Sequence, residues 1–308
     1  MGIFKFNEEI ASLQKQNGEI EHEGTNSKSL PSCCRLITAN NNEQYRDMIV
    51  PEEFERRIAV HVFSLFSELN KTVVPPLYLA IEGAPGEGKT SQTLAVLLKF
   101  GIDAIYVSAS DISGAHERES VDVLNSILEY ANHLRDDDKL VSIVIDDFHM
   151  GIITQDQAVK KTINTNLLTG KMMNLADCSE TKRVPIILTG NDFSTVYAPL
   201  LRAGRADLFE WNPTGETKKQ IVTQILSTFV DINEDDVEHF FNRYQNRSIS
   251  DFAQLKNDYR KKYIWKIVQQ NSRDSRSILN KLKENALHIC RINYNELCEL
   301  AVHRFHTA

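Results

Sequence analysis

The stretch Gly83-Ala84-Pro85-Gly86-Glu87-Gly88-Lys89-Thr90 constrains this chain more than any other. It fits G-x-x-x-x-G-K-[ST] at every fixed position. The apolar run 77–81 before it reads as a buried strand. Residues 91–100 after it read as a helix, with Leu94, Leu97 and Leu98 at helical spacing. A strand, a glycine-rich loop and a helix in that order make a phosphate cradle: glycines let successive backbone N–H groups turn inward, and the helix N-terminus adds partial positive charge. Gly83, Ala84, Pro85, Gly86, Glu87, Gly88, Lys89, Thr90 and Ser91 are therefore the expected nucleotide-binding residues. In such a loop the lysine reaches the β- and γ-phosphates and the Thr90 hydroxyl ligates Mg²⁺, so ATP with Mg²⁺ is the expected cofactor.

The order of the remaining elements follows from apolar runs. Residues 104–109, 140–145 and 184–188 read as buried strands, separated by helical patterns over 120–134 and 155–176. Alternation of this kind implies a parallel sheet with helices on both faces, and ligands bind beyond the carboxyl ends of its strands. Asp146 and Asp147 follow one strand and Asn191 follows another, so they converge with the loop on one crevice. An Asp at a strand end can hold Mg²⁺ (Asp146), and a neighbouring acid can orient or deprotonate water (Asp147). Asn191 could polarise the same water. Arg202 and Arg205 form a compact basic pair suited to the charge on a transferred phosphoryl group.

Upstream, residues 1–48 are polar and poorly patterned and read as a flexible arm. A short helix is expected near 8–15 and a loop at 40–43. From Pro51, placed at the first helical position, a helix carries Phe54, Ile58, Val62 and Leu65. Past Pro213 the pattern becomes helical throughout, over 216–229, 235–244, 249–269, 275–289 and 294–305. The expected domains are thus an arm at 1–48, an α/β nucleotide-binding domain at 49–213 and a helical lid at 214–308.

Composition narrows the function classes. The chain of 308 residues has a formal net charge of −7, which together with the apparent lack of a basic–aromatic patch argues against nucleic acid as partner. No apolar run approaches the ~18 residues that span a bilayer, so no membrane partner is expected. Five cysteines occur without metal-ligand spacing, consistent with a reducing compartment; Cys290 and Cys298 read as core thiols.

These residues together resemble the AAA+ ATPases, and several segments resemble the Rubisco activases among them. Residues 183–205, RVPIILTGNDFSTVYAPLLRAGR, are similar to the activase segment bearing sensor 1 and the arginine fingers. TINTNL at 162–167, MNLAD at 173–177, LAIEG at 79–83 and GEGKTSQ at 86–92 are similar to its neighbouring segments. The resemblance covers about 49–270 and implies a P-loop AAA+ module with a helical lid. It implies Walker A at Lys89 and Thr90, Walker B at Asp146 and Asp147, sensor 1 at Asn191, and fingers at Arg202 and Arg205 reaching a neighbour's ATP. It also implies a homo-oligomeric ring, usually a hexamer, whose ATP hydrolysis remodels a protein client. For activases that client is Rubisco, from which inhibitory sugar phosphates are released, in the cytoplasm or a stroma-like compartment. An activase-derived motor on another client, or an ATP-dependent scaffold with slow hydrolysis, are the alternatives. The chain departs from the activase pattern at His149, in the loop 150–155 and loosely over the first pore loop at 108–116. It also departs at Lys256 and Asp258, where the sensor 2 region has arginines.

Overall fold

Short apolar strands that cannot bury both faces alone assemble here into one twisted sheet. The computed structural model describes residues 29–38, 40, 42, 45, 48–67, 74–112, 119–137, 139–151, 163–178, 183–270, 274–284 and 291–306. Six strands are present: β1 (Arg35–Ile37), β2 (Tyr78–Glu82), β3 (Asp103–Ser108), β4 (Val141–Asp146), β5 (Ile186–Gly190) and β6 (Ala206–Glu210). Their order across the sheet is β1-β3-β4-β5-β2-β6. All neighbours run parallel except β1, which lies antiparallel on β3.

Helices cover both faces, and the period of two along each strand divides the core between them. Tyr78 and Ala80 face one way with Ile105, Ile143 and Ile186. They meet α4 (Glu119–Asp136) through Leu124, Ile127 and Ala131, and α6 (Ile163–Asp177) through Leu168 and Met172. Leu79 and Ile81 face the other way. They meet α1 (Glu52–Phe66) through Phe54, Ile58 and Val62, and α2 (Lys89–Lys99) through Leu94 and Leu97. The turn-length helices α3 (Ala109–Ile112) and α5 (Phe148–Gly151) follow β3 and β4.

The C-terminal region is helical: α7 (Gly215–Ser227), α8 (Glu234–Tyr244), α9 (Ile249–Gln270), α10 (Ser275–Glu284) and α11 (Tyr294–His306). Four of these helices close on a third core of Val222, Leu226, Phe240, Phe252, Leu297 and Phe305. The isolated bridge between Val230 and Ile292 is the strand-like pairing there among the described residues.

Two strands were not anticipated. Arg35–Ile37 falls in the stretch expected to be a loose arm, and it is an edge strand three residues long. Such a strand takes its shape from its partner and carries almost no pattern of its own. Ala206–Glu210 is the opposite edge, where Asp207, Leu208 and Glu210 are exposed, so no apolar run marks it. The helix after Pro51 begins at Glu52, one residue later than expected, with the Glu55 N–H donating to the Pro51 carbonyl at 3.0 Å. On α9, Trp265 is 60% exposed, and the neighbouring Lys261 and Lys262 face Asp258 and Glu299, each at 3.8 Å. The expected helix near 8–15, half of the loop at 40–43, the pore-loop match beyond Ile112, residues 152–162 and Cys290 lie outside the described residues.

Candidate functional site

The carboxyl end of β2 delivers the chain to Gly83, where a Cβ would stand 2.1 Å from the Trp211 carbonyl oxygen. Gly86 and Gly88 have φ of 78° and 80°, the left-handed region that side chains other than glycine rarely enter. The loop they form is gripped from the C-terminal helices. The Trp211 indole Nε1–H donates to the Glu87 carbonyl at 2.8 Å. Lys218 Nζ on α7 pairs with Glu87 Oε1 at 3.0 Å, both side chains being buried. The Ser250 N–H, in the first turn of α9, donates to the Gly86 carbonyl at 2.9 Å.

Lys89 opens α2 and is only 7% exposed. Its Nζ donates to the carbonyls of Gly83 and Ala84 at 2.8 and 2.9 Å, and to Asn191 Oδ1 at 2.9 Å. Burial lowers its pKa from the usual lysine value, and Asp146, Asp147 and Glu87 counter this. These donor contacts are ones that phosphate oxygens can replace at the same nitrogen. The sequence-predicted Lys89 and Asn191 are thus brought into direct contact.

Asp146 ends β4 and is held from several sides. Its Oδ1 accepts from Thr90 Oγ1 at 2.6 Å, Thr189 Oγ1 at 2.5 Å and the Asp147 N–H at 3.1 Å. Its Oδ2 accepts from the Tyr106 hydroxyl at 2.8 Å. Burial and this contact push the Tyr106 phenol up to about 12. A hydroxyl and a carboxylate at this separation are the hard oxygen donors that suit Mg²⁺. Asp147 is exposed, with φ of 51°, a left-handed backbone that Asp tolerates better than most residues. The turn points its backbone away from the strand and leaves the carboxylate at the cleft. His149, where the sequence departs from the activase pattern, accepts from the Asn191 N–H at 3.3 Å through Nδ1.

Around these groups opens a cleft of about 820 Å³, within the ~300–1,000 Å³ of small-molecule sites. Gly86, Lys89, Thr90, Asp146, Asp147 and Asn191 line its polar end; Met48, Ile49, Ile221 and Ile225 line an apolar end that suits a base. The Ile49 N–H donates to Gln224 Oε1 of α7 at 2.7 Å, so the entry to α1 and the helical region meet across the cleft. Among the described residues, the buried Gln92 Oε1 beside the loop has no partner. Lys256 of α9 lines the cleft, its Nζ 3.0 Å from Thr228 Oγ1. Asp258 does not line it: it forms an ion pair with Arg304. The sequence reading assigned no role to Thr189, although it lies within the quoted segment 183–205, and missed Tyr106, Trp211 and Lys218, which belong to no motif.

Arg202 and Arg205 are not in this cleft. Arg205 sits at the start of β6, where its carbonyl accepts from the Tyr78 N–H at 3.0 Å, at the amino end of β2. The phosphate loop leaves the other end of that strand. Arg205 is tied within the chain, donating through Nε and Nη2 to Asp177 at 2.7 and 2.6 Å and through Nη1 to the Pro199 carbonyl at 2.6 Å. Arg202 is exposed.

A loop of this geometry on a sheet of this order matches a known family. The family model for the ATPase family associated with various cellular activities (AAA) matches residues 79–214. Residues 79–214 form an AAA domain. Among curated proteins it is similar to ribulose bisphosphate carboxylase/oxygenase activase of Anabaena sp. (strain CA / ATCC 33047), 32% identical over 220 residues, covering 67% of this chain and 52% of the relative. The chloroplastic activase of Chlamydomonas reinhardtii is 30% identical over 215 residues, covering 66% and 52%. That of Arabidopsis thaliana is 32% identical over 215 residues, covering 66% and 45%. The chain spans about half the length of the curated relatives it matches. Among solved structures, the FIGL-1 AAA domain superposes with a TM-score of 0.63 at 18% identity, covering 92% of this chain and 90% of that one, a likeness of fold. Among the described residues no helix is long and apolar enough to cross a membrane.

Proposed function

We propose that this protein hydrolyses ATP in a homo-oligomeric ring, usually of six subunits, to remodel a protein client, and that the client is Rubisco carrying an inhibitory sugar phosphate. Residues 49–213, joined by the edge strand Arg35–Ile37, act as the nucleotide domain and 214–308 as its lid, in the cytoplasm or a stroma-like compartment. The observation that carries the reading is the joint placement of Lys89, Thr90, Asp146 and Asn191 on one cleft roofed by helices.

In this reading Lys89 exchanges its loop carbonyls for β- and γ-phosphate oxygens, and the loop N–H groups hold the rest of the phosphate chain. Thr90 and Asp146 hold Mg²⁺, which, when bound, neutralises charge on the phosphates. Asp147 orients the attacking water and accepts its proton, and Asn191 polarises that water. Lys256 supplies a cation from the lid side. Arg202 and Arg205 lie at the far end of β2 from their own loop, so they serve a neighbour's nucleotide. Arg202 is the freely presented one, and Arg205 needs its bond to Asp177 rearranged or used as a brace.

The test is ATP turnover by the purified protein, with and without sugar-phosphate-inhibited Rubisco, following recovery of carboxylation. The expected result is ATP-dependent recovery that Lys89→Ala abolishes. Turnover without recovery across several Rubisco forms would keep the motor and remove Rubisco as client. Absence of both turnover and nucleotide binding would remove the motor.

A further inference from the structure

Asp146 stands where a carboxylate must present a fixed oxygen, and Thr90, Thr189 and the Asp147 N–H all converge on its Oδ1. Three donors on one oxygen do not by themselves fix rotation about the terminal torsion of an Asp, which is broad. The second oxygen decides it. Oδ2 accepts from the Tyr106 hydroxyl at 2.8 Å. Tyr106 is on β3, opposite Val144 of β4, so Asp146 lies two residues further along the same face. A tyrosine reaches such a diagonal neighbour and a shorter side chain does not.

Tyr106 is itself held from its other side. In the antiparallel pairing of β1 with β3, Arg35 stands directly opposite Tyr106. The Arg35 guanidinium lies 4.6 Å from the centre of the Tyr106 ring. A cation over the ring face keeps the phenol in one orientation across the sheet.

Resting on the nucleotide reading above, we propose that Tyr106 is a positioning residue that fixes the Asp146 carboxylate for a divalent cation, with Arg35 of the edge strand clamping Tyr106. Strand β1 is then part of the site's framework, although the sequence around it carries no motif. Neither side chain touches substrate in this role.

Tyr106→Phe removes the hydroxyl and keeps the ring. The probe is the fluorescent analogue N-methylanthraniloyl-ATP binding to the full chain, titrated in EDTA and at graded MgCl₂. In EDTA the variant should bind as the native protein does, while the Mg²⁺ concentration giving half the maximal tightening should rise about tenfold or more, the scale of one hydrogen bond to a charged group. Arg35→Gln should shift the same midpoint by less, and the double variant should go no further than Tyr106→Phe alone. An unchanged Mg²⁺ midpoint in Tyr106→Phe would overturn the proposal. So would an equal loss of binding in EDTA, because the hydroxyl would then support the cleft generally. If the native chain bound the analogue in neither condition, the nucleotide reading would fall and this proposal with it.

Discussion

At the residue scale the site divides into groups that announce themselves and groups that do not. Lys89, Thr90, Asp146, Asp147 and Asn191 were legible because each sits at a loop or strand end whose spacing has a chemical reason. Thr189 and Tyr106 were not, because they reach Asp146 only through pairing of β3, β4 and β5, which no local pattern records. Asp147 combines a left-handed backbone with an exposed carboxylate. Asn tolerates that backbone equally well, so Asp147→Asn removes charge without strain. We expect turnover to fall by roughly a hundredfold or more while ATP affinity changes by less than about twofold. Single-turnover hydrolysis beside equilibrium binding checks this, and a matching loss in both would assign Asp147 to binding.

At the element scale, the strands and helices of the sheet were foreseen from apolar runs, and the two edge strands were not. An edge strand hides half its pattern in solvent, as Asp207 and Leu208 do. Helix α1 carries a consequence that its pattern of apolar residues conceals. His61 lies inside that stripe, 5% exposed, with Nε2 unpartnered among the described residues. Burial lowers its pKa to about 3, the hydrogen bond with the Ile186 backbone opposing and the Arg183 charge adding to the shift. Folded His61 therefore stays neutral while the unfolded chain takes up a proton near pH 6.5. The packing of α1 is fully stable above that pH and weakens as pH falls from there toward 3. Between pH 7.5 and pH 5 this one group should cost about 2 kcal/mol, and His61→Leu should remove that part of the pH dependence. Urea unfolding at the two pH values measures both slopes.

At the scale of the whole molecule, the two ends of β2 separate a nucleotide site from an arginine pair. The sequence placed both on the chain but could not say that they face opposite ways, because that depends on which strand lies beside β2. If the arginines serve a neighbour, turnover per subunit should rise with protein concentration. Arg202→Ala should flatten that rise and lower the plateau by about a thousandfold, the low side of what a trans arginine contributes. Mixing Arg202→Ala with Lys89→Ala subunits at a 1:1 ratio should restore part of the activity, because the intact loop of one chain then meets the intact Arg202 of the other across a shared interface. A rate independent of concentration, with Arg202→Ala fully active, would contradict the arrangement.

The bond from the Ser250 N–H to the Gly86 carbonyl has a mechanical meaning. It sits at the first turn of α9, a helix of 22 residues. That length is about 33 Å, so the phosphate loop holds the short end of a long rod. A tilt of about 5° at this fulcrum carries the far end through about 3 Å, given that helix rise. Trp265 rides near that far end. A small tilt at the loop is thereby geared up to a displacement the size of a side-chain contact.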